Sequence, residues 1–170
     1  MTQGINNSFA QRKSSSPYIR LHDSKSANTA GGTFTSGAWQ KRTVTEDQDA
    51  SNLVAVASSV ITLQPGTYDC LITCPAHAVE WHKARLRNTT DGVTTIVGTS
   101  AKNGINLNST YTQNESTMRS RFTITAAKNF EIQHRCTSTT ATNGFGMPTN
   151  VGEVEIYTIA EFWKIIELNF

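Results

Sequence analysis

A chain of 170 residues can form one domain with a genuine core, and its 37% of hydrophobic residues predicts that this core is thin. The formal net charge of +2 is too small for the field that a nucleic acid or an anionic membrane requires, so neither partner is predicted. No stretch has the apolar length of a signal peptide or a membrane span. Three cysteines make no paired framework, so we expect reduced thiols in a protein folded in a cytoplasm.

The first 32 residues have the composition of an extended arm. They are polar, rich in Ser and Asn, and close with SANTAGG. Isolated apolar and basic residues interrupt this stretch but are too sparse to form a core. We therefore expect an arm over residues 1–32, ordered on a neighbouring chain, and a domain over residues 33–170. The predicted anchors of the arm are Phe9, Arg12, Lys13, Tyr18, Ile19, Arg20 and Leu21.

From residue 33 the chain consists of short strand-like runs separated by turn signals. The run TTDG marks one predicted turn, and Ala127-Lys128-Asn129 is predicted to join a pair of strands. No helical period persists anywhere in the chain. Many short strands without helices predict an all-β sandwich or barrel.

Alternation of apolar and polar residues supports this prediction in three runs. In each run every second side chain is apolar, which is typical of a half-buried antiparallel strand. The predicted core residues are Tyr68, Cys70, Ile72 and Cys74; Met118, Phe122 and Ile124; and Phe130, Ile132, His134 and Cys136.

The last strand differs because both of its faces are apolar. Val154, Ile156, Ala160 and Phe162 form the predicted core face. The opposite face needs a second cover, and another copy of the chain is the natural candidate, so a homo-oligomer is predicted. His134 is predicted to be a hydrogen-bonded histidine of the core or of this interface. The predicted subunit-interface residues are His134, Tyr157, Ile159, Trp163 and Ile165.

The densest cluster of reactive side chains is CPAHAVEWHKARLRN, residues 74–88. In an extended strand His77 and His82 point to opposite faces, so no metal site is predicted. The apolar parity shifts from Val79 and Trp81 to Ala84 and Leu86, which predicts a bulge or corner between these two pairs. Lys83, Arg85 and Arg87 share one face as a basic stripe. The stripe is either a solvated strand face or a surface that grips an acidic protein or a charged glycan.

No catalytic site is predicted. His134 and Cys136 share a strand face, but the sequence supplies no orienting acid or oxyanion hole. Glu153 and Glu155 are the carboxylates that a carbohydrate hydrolase would use, yet they stand beside a loop without an aromatic cleft. We therefore expect a protein without enzymatic activity, metal or cofactor.

Four segments carry a resemblance to a known group: GGTFTSGAWQKRTVT, LQPGTYDC, FEIQHRCTSTTATNGFG and the aromatic closing strand. Across roughly residues 30 to 168 the chain resembles the tumour-necrosis-factor/complement-type jelly-roll modules of structural proteins of tailed bacteriophages. The resemblance implies an antiparallel jelly-roll sandwich, a Pro-Gly hairpin before an inner strand, a compact homotrimer and no enzymatic activity.

Two placements on a virion follow from the resemblance. A homotrimeric capsid decoration (cement) protein would tie down neighbouring major capsid subunits through its arms, with Arg12, Lys13 and Arg20 meeting acidic coat residues. A tail-fibre tip would instead attach to a tail adaptor through the arm and contact a host protein or glycan. Both place the protein on the virion surface after folding in the host cytoplasm, and the short arm favours decoration.

Overall fold

The computed structural model describes residues 16–49, 51–104 and 111–166, and these residues form an all-β domain. No helix that could cross a membrane occurs within these three ranges. The strands are β1 (Tyr18–Lys25), β2 (Gln40–Lys41), β3 (Thr45–Asp49), β4 (Val54–Ala57), β5 (Val60–Leu63), β6 (Gly66–His77), β7 (Glu80–Asn88), β8 (Val93–Val97), β9 (Ala101–Asn103), β10 (Gln113–Ile124), β11 (Lys128–Cys136) and β12 (Glu155–Lys164).

The strands form two antiparallel sheets that face each other. One sheet has five strands in the order β10-β6-β12-β1-β3. The other has seven, with the path β4-β5-β11-β7-β8 and with β2 paired to β11 and β9 paired to β7. Two packed antiparallel sheets confirm the predicted sandwich, and each sheet has one face towards the core and one towards the outside.

The core lies between the sheets and follows the alternation predicted from the sequence. The core residues predicted in β6, β10 and β11 are buried, except that Phe122 is only partly buried. Phe122 contacts both Tyr68 and Phe130, with ring centroids 5.8 and 5.7 Å apart. Interdigitated aromatic rings from both sheets therefore fill the centre of the sandwich.

Several segments that are neighbours in sequence belong to different sheets, which corrects the predicted pairs. Pro65-Gly66 joins β5 to β6 by a crossing between the sheets, so the hairpin expected there is wrong. The pair expected around 127–129 is wrong for the same reason, because β10 and β11 lie in opposite sheets. The run TTDG does close a true hairpin between β7 and β8, as predicted.

The corner that carries the chain from one sheet to the other lies before the predicted position, since β7 continues without a break from Trp81 to Ala84. Strand β6 ends at His77 and β7 begins at Glu80, and both Ala78 and Glu80 have positive φ angles. His77 and His82 are therefore not opposite faces of one strand: they lie in different sheets, and both are buried. Trp81, expected to share the apolar parity of Val79, instead points outwards after this corner and is 56% exposed.

The predicted arm is wrong over its second half, because Tyr18–Lys25 is an interior strand of the five-stranded sheet. Strand β1 pairs with β12 on one side and β3 on the other. Ile19 and Leu21 are fully buried in the core of their own domain, so neither can anchor the protein to a partner. Their alternation with Arg20 and His22 is the signature of a half-buried strand. Phe9, Arg12 and Lys13 lie outside the described residues.

A β-bulge changes which residues of β12 face the core. His22 pairs with Ile159 but Ser24 pairs with Ile156, so β12 carries one extra residue between these pairs. Tyr157 and Thr158 are consequently both buried. After the bulge, regular alternation resumes with Ala160 and Phe162 facing the core. Val154 and Ile156, predicted to face the core, are instead exposed.

Candidate functional site

An apolar surface lies on the outward side of the five-stranded sheet. Ile159, Trp163 and Ile165 project from β12 and its continuation, and Leu71 projects from β6 beside them; all four are partly exposed. We call these four residues the outward apolar face. A recess of about 650 Å³ opens there, and Leu71, Trp163 and Ile165 contribute to its lining.

Polar groups around the outward apolar face are paired with each other. The Tyr18 ring packs on Trp163, with centroids 5.4 Å apart, and its hydroxyl donates to Glu161 Oε1 over 2.5 Å. Burial and this carboxylate together raise the pKa of Tyr18 to about 12. Arg121 donates from two nitrogens to Asp69, both over 2.7 Å. Arg119 is an exception: it lies opposite Leu71, lines the same recess and forms no ion pair among the described residues. This face therefore offers another molecule a group of apolar side chains with one unpaired basic group at its edge.

Two of the five predicted interface residues are wrong. His134 is fully buried between the sheets, where it packs against Phe34 with ring centroids 4.8 Å apart, so a partner cannot reach it. Tyr157 is buried beside Gly146, and its hydroxyl donates to the Thr29 carbonyl over 2.7 Å. Ile159, Trp163 and Ile165 do point outwards, and their contact with another subunit stays a prediction.

A buried arginine joins elements of both sheets. Arg42 is 1% exposed, and its backbone N–H donates to Ile132 of β11. The guanidinium donates to Thr158 Oγ1 (2.7 Å), to the Pro75 carbonyl (3.2 Å) and to the Phe145 carbonyl (3.0 Å). Burial lowers the pKa of Arg42. Nothing in the sequence signalled this residue, since its three acceptors are far away along the chain.

Two histidines form a hydrogen-bonded pair next to this arginine. His82 Nε2 lies 2.7 Å from Asn114 Oδ1, so that nitrogen carries the proton, and His82 Nδ1 is left as an acceptor. His134 Nε2, 3.0 Å away, must then donate to it. This arrangement leaves His134 Nδ1 buried without a hydrogen-bond partner among the described residues. Both rings are therefore neutral in the folded protein.

The histidine pair predicts a loss of stability in acid. Burial lowers the pKa of His82 and lowers that of His134 further, with Arg42 adding to the effect. In the unfolded chain both rings regain the ordinary pKa near 6.5, so as the pH falls the unfolded state takes up protons first. Above about pH 6.5 we expect the free energy of unfolding to have its full value. Below that pH it should fall by up to roughly 1.4 kcal/mol per pH unit for each ring that stays neutral in the folded protein.

Urea denaturation from about pH 7.5 to about pH 5 measures this loss. The variant His134→Leu removes one of the titrating rings and should make the decline shallower. A free energy of unfolding that does not change over this interval would contradict the assignment of neutral rings.

The basic stripe lies on the outward side of the seven-stranded sheet. Lys83, Arg85 and Arg87 all project outwards from β7, as the alternation predicts. Arg85 donates from Nε and a terminal nitrogen to Gln133 Oε1, over 2.9 and 2.7 Å, and its guanidinium stacks on Trp39 at 4.1 Å. Next to Lys83, Trp39 and Trp81 line a shallow groove of about 250 Å³. Trp39, Trp81 and Arg135 were not among the predicted site residues, although Trp81 and Arg135 share the parity of the stripe.

The three thiols and the Glu155 carboxylate have structural contacts. Cys70, Cys74 and Cys136 are free and buried, as predicted, and burial raises their pKa values to about 11, 12 and 11. Such thiols pack as small hydrophobic groups. The Glu155 carboxylate accepts from the Thr149 backbone N–H over 2.9 Å and so holds its own loop. Among the residues described, no group of three His, Cys, Asp or Glu comes together as a metal would need.

Comparison with known proteins identifies the fold. No protein-family model matches the chain. No curated protein sequence matches it either. The crystal structure of murine APRIL at pH 8.0 is similar, with 10% identity, a TM-score of 0.53, and coverage of 88% of this chain and 98% of that chain. The crystal structure of murine APRIL at pH 5.0 gives 8% identity, a TM-score of 0.54, and coverage of 88% and 99%.

The globular domain of the zebrafish complement 1qA protein is similar to the same extent. It has 12% identity and a TM-score of 0.52, and the match covers 89% of this chain and 99% of that chain. Identities this low carry the fold and nothing more. The predicted resemblance is therefore confirmed at the level of architecture: the chain has the tumour-necrosis-factor/complement-type jelly-roll fold.

Proposed function

We propose that this chain is a non-enzymatic structural protein of a bacteriophage virion, a homotrimer that decorates the capsid and binds neighbouring coat subunits. The observation that carries the proposal is the outward apolar face formed by Leu71, Ile159, Trp163 and Ile165. A sheet normally presents polar residues on its solvent side, so an apolar outer face indicates a second protein surface.

Self-association is the first step of the proposal. Tyr18, Glu161, Arg121 and Asp69 at the border of the outward apolar face are paired within the chain, so association would bury apolar area without separating these pairs. Arg119, opposite Leu71, would stay at the rim or meet an acceptor of the neighbouring subunit. The resemblance stated from the sequence implies a homotrimer, and the jelly-roll architecture agrees with that implication. The basic stripe belongs to the opposite sheet and would stay accessible in such an assembly.

Coat binding is the second step. Ser16, the first described residue, borders the recess beside Trp163, so residues 1–15 are attached to the domain next to the outward apolar face. This segment, residues 1–15, retains the predicted anchors Phe9, Arg12 and Lys13. A trimer would present three such segments at once, which turns weak individual contacts into strong overall binding.

The test uses purified phage heads that lack the protein. Deleting residues 1–15 should leave a soluble trimer that no longer binds the heads. Changing Phe9, Arg12 and Lys13 together to alanine should have the same effect, whereas changing the adjacent Ser14, Ser15 and Ser16 to alanine should not. Unimpaired binding of heads by the deleted protein would overturn the mechanism.

A receptor-binding tail-fibre tip is the second candidate, and the groove beside Trp39 and Trp81 favours it. An exposed tryptophan beside basic side chains is suited to a ligand of the host surface. Copy number separates the two candidates. Quantitative mass spectrometry of purified virions should give an abundance that scales with the coat protein for decoration and a few trimers per particle for a fibre.

A further inference from the structure

Trp39 and Trp81 form the aromatic side of a groove on the seven-stranded sheet, which we call the tryptophan groove. Trp81 is 56% exposed, and the Lys102 ammonium lies 4.9 Å from its ring centroid. Thr137 fixes its backbone on β11: the Trp81 N–H donates to Thr137 Oγ1 over 3.1 Å, and the Thr137 N–H donates to the Trp81 carbonyl over 3.0 Å. A large indole is thus presented at the surface from a hydrogen-bonded backbone rather than packed into the core.

The charges in the tryptophan groove are unbalanced, unlike those elsewhere on the same strands. Lys83 lies directly opposite Arg135 in the β7–β11 register, and like charges at such a position repel each other. The next two pairs along the register are matched, since Arg85 is opposite Gln133 and hydrogen-bonded to it, and Arg87 is opposite Glu131.

Neither member of the repelling pair is neutralised nearby. Among the described residues, Lys83 and Arg135 form no ion pair. The nine described residues that line the groove include no carboxylate. No acidic side chain among the described residues of the groove offsets the repulsion between Lys83 and Arg135, so an anion bound between them would relieve it.

The strands beneath the groove are not suited to binding a peptide as an added strand. Strands β7 and β11 are interior to the sheet: β7 pairs with β11 on one side and with β8 and β9 on the other. On its other side β11 pairs with β2 at Gln133 and His134. Among the described residues the edge left beside the groove is therefore at most two residues long, which is too short for strand addition. A volume of about 250 Å³ is also below the roughly 300–1,000 Å³ of sites that enclose a whole small molecule.

We infer that the tryptophan groove binds the terminal unit of an acidic saccharide. One face of the sugar ring stacks on Trp81, its carboxylate lies between Lys83 and Arg135, and its hydroxyl groups meet Ser100 and Thr137. The indole supplies apolar contact area to any sugar ring, whereas the two cations attract only a sugar that carries a carboxylate. A neutral sugar should therefore bind more weakly than an acidic one. The inference goes beyond the capsid role and does not depend on it, because the groove is on the opposite sheet from the outward apolar face.

The test measures binding of the full-length protein to sialyllactose and trigalacturonic acid, with lactose and α-1,4-galactotriose as their neutral counterparts, by calorimetry and tryptophan fluorescence. We expect at least one acidic sugar to bind at least tenfold more tightly than its neutral counterpart. Trp81→Ala should weaken this binding at least tenfold, whereas Trp81→Phe, which keeps an aromatic face, should retain part of it.

Charge variants separate a site from general attraction. Lys83→Ala and Arg135→Ala should each remove the preference for acid, while Arg87→Ala, on the same strand and face but about 13 Å from Lys83, should leave it intact. The inference is overturned if neither acidic sugar binds at millimolar concentration or if Trp81→Ala binds like the wild type. It is also overturned if the neutral sugars bind equally well, or if Arg87→Ala weakens binding as much as Lys83→Ala.

Discussion

Arg42→Ala is expected to lower the free energy of unfolding by about 3–5 kcal/mol, because it opens a cavity in the core and leaves buried acceptors unpaired. The side chain is 1% exposed and donates to Thr158 Oγ1 and to the carbonyls of Pro75 and Phe145. Alanine would leave these three acceptors without their donor, at about 1–3 kcal/mol for each one that stays buried and unpaired, and would open a cavity. Domains of this size have only about 5–15 kcal/mol to lose.

Two further variants identify the cause of the loss. Arg42→Met keeps much of the aliphatic volume but no donor, so it should remain strongly destabilised if the hydrogen bonds matter most. Arg135→Ala removes an exposed arginine and should change stability by less than about 0.5 kcal/mol. Urea denaturation followed by circular dichroism measures all three variants. If Arg42→Met were as stable as the wild type, the buried arginine would be replaceable by apolar packing and our account of it would be wrong.

Ile159→Asp is expected to convert the proposed trimer to monomers. The residue is at the centre of the five-stranded sheet, where it pairs with Thr73 of β6 and His22 of β1. An aspartate there would be buried without a partner in every subunit contact, at about 3–5 kcal/mol each, which weakens each contact by about a hundredfold to a few thousandfold. Sedimentation velocity at micromolar concentration measures the change.

Val97→Asp is the matched control for this variant. It introduces the same charge at an apolar position that is 61% exposed on the opposite sheet, so association should be unchanged. Both variants should remain folded, because the wild-type side chains are at the surface of the domain. An Ile159→Asp protein that sediments like the wild type would exclude the outward apolar face as the contact surface.

The strand alternation was predictable because it is a local property. In β6, β10 and β11 a period of two fixes which residues face the core, and no distant contact is needed to recognise it. The bulge in β12 was not predictable in the same way. It depends on the pairing of His22 and Ser24 with a strand more than a hundred residues later, and it moved Ile156 outwards and Tyr157 inwards.

The error in the arm has a different physical origin. Arg20, His22 and Ser24 make β1 look polar, but they occupy the outward side of a strand whose inward side carries Ile19 and Leu21. Average composition hides such a strand, whereas its alternation reveals it. The crossing at Pro65-Gly66 was predicted as a hairpin because Pro and Gly indicate that the chain changes direction. They do not indicate whether the next strand joins the same sheet or the opposite one.

The candidate sites were predictable only in part for a related reason. The stripe of Lys83, Arg85 and Arg87 follows from parity within one strand. The repulsion between Lys83 and Arg135 and the contacts of Arg42 require the register between strands, which the sequence does not contain. Sites built across strands therefore emerged only from the structure.

The mass of the full-length chain in solution tests the central claim, that the outward apolar face joins copies of this protein. Multi-angle light scattering at micromolar concentration should give about 56 kDa, three times the 18.6 kDa mass of the chain. A single species of 18.6 kDa, unchanged as the protein is concentrated, would contradict the claim.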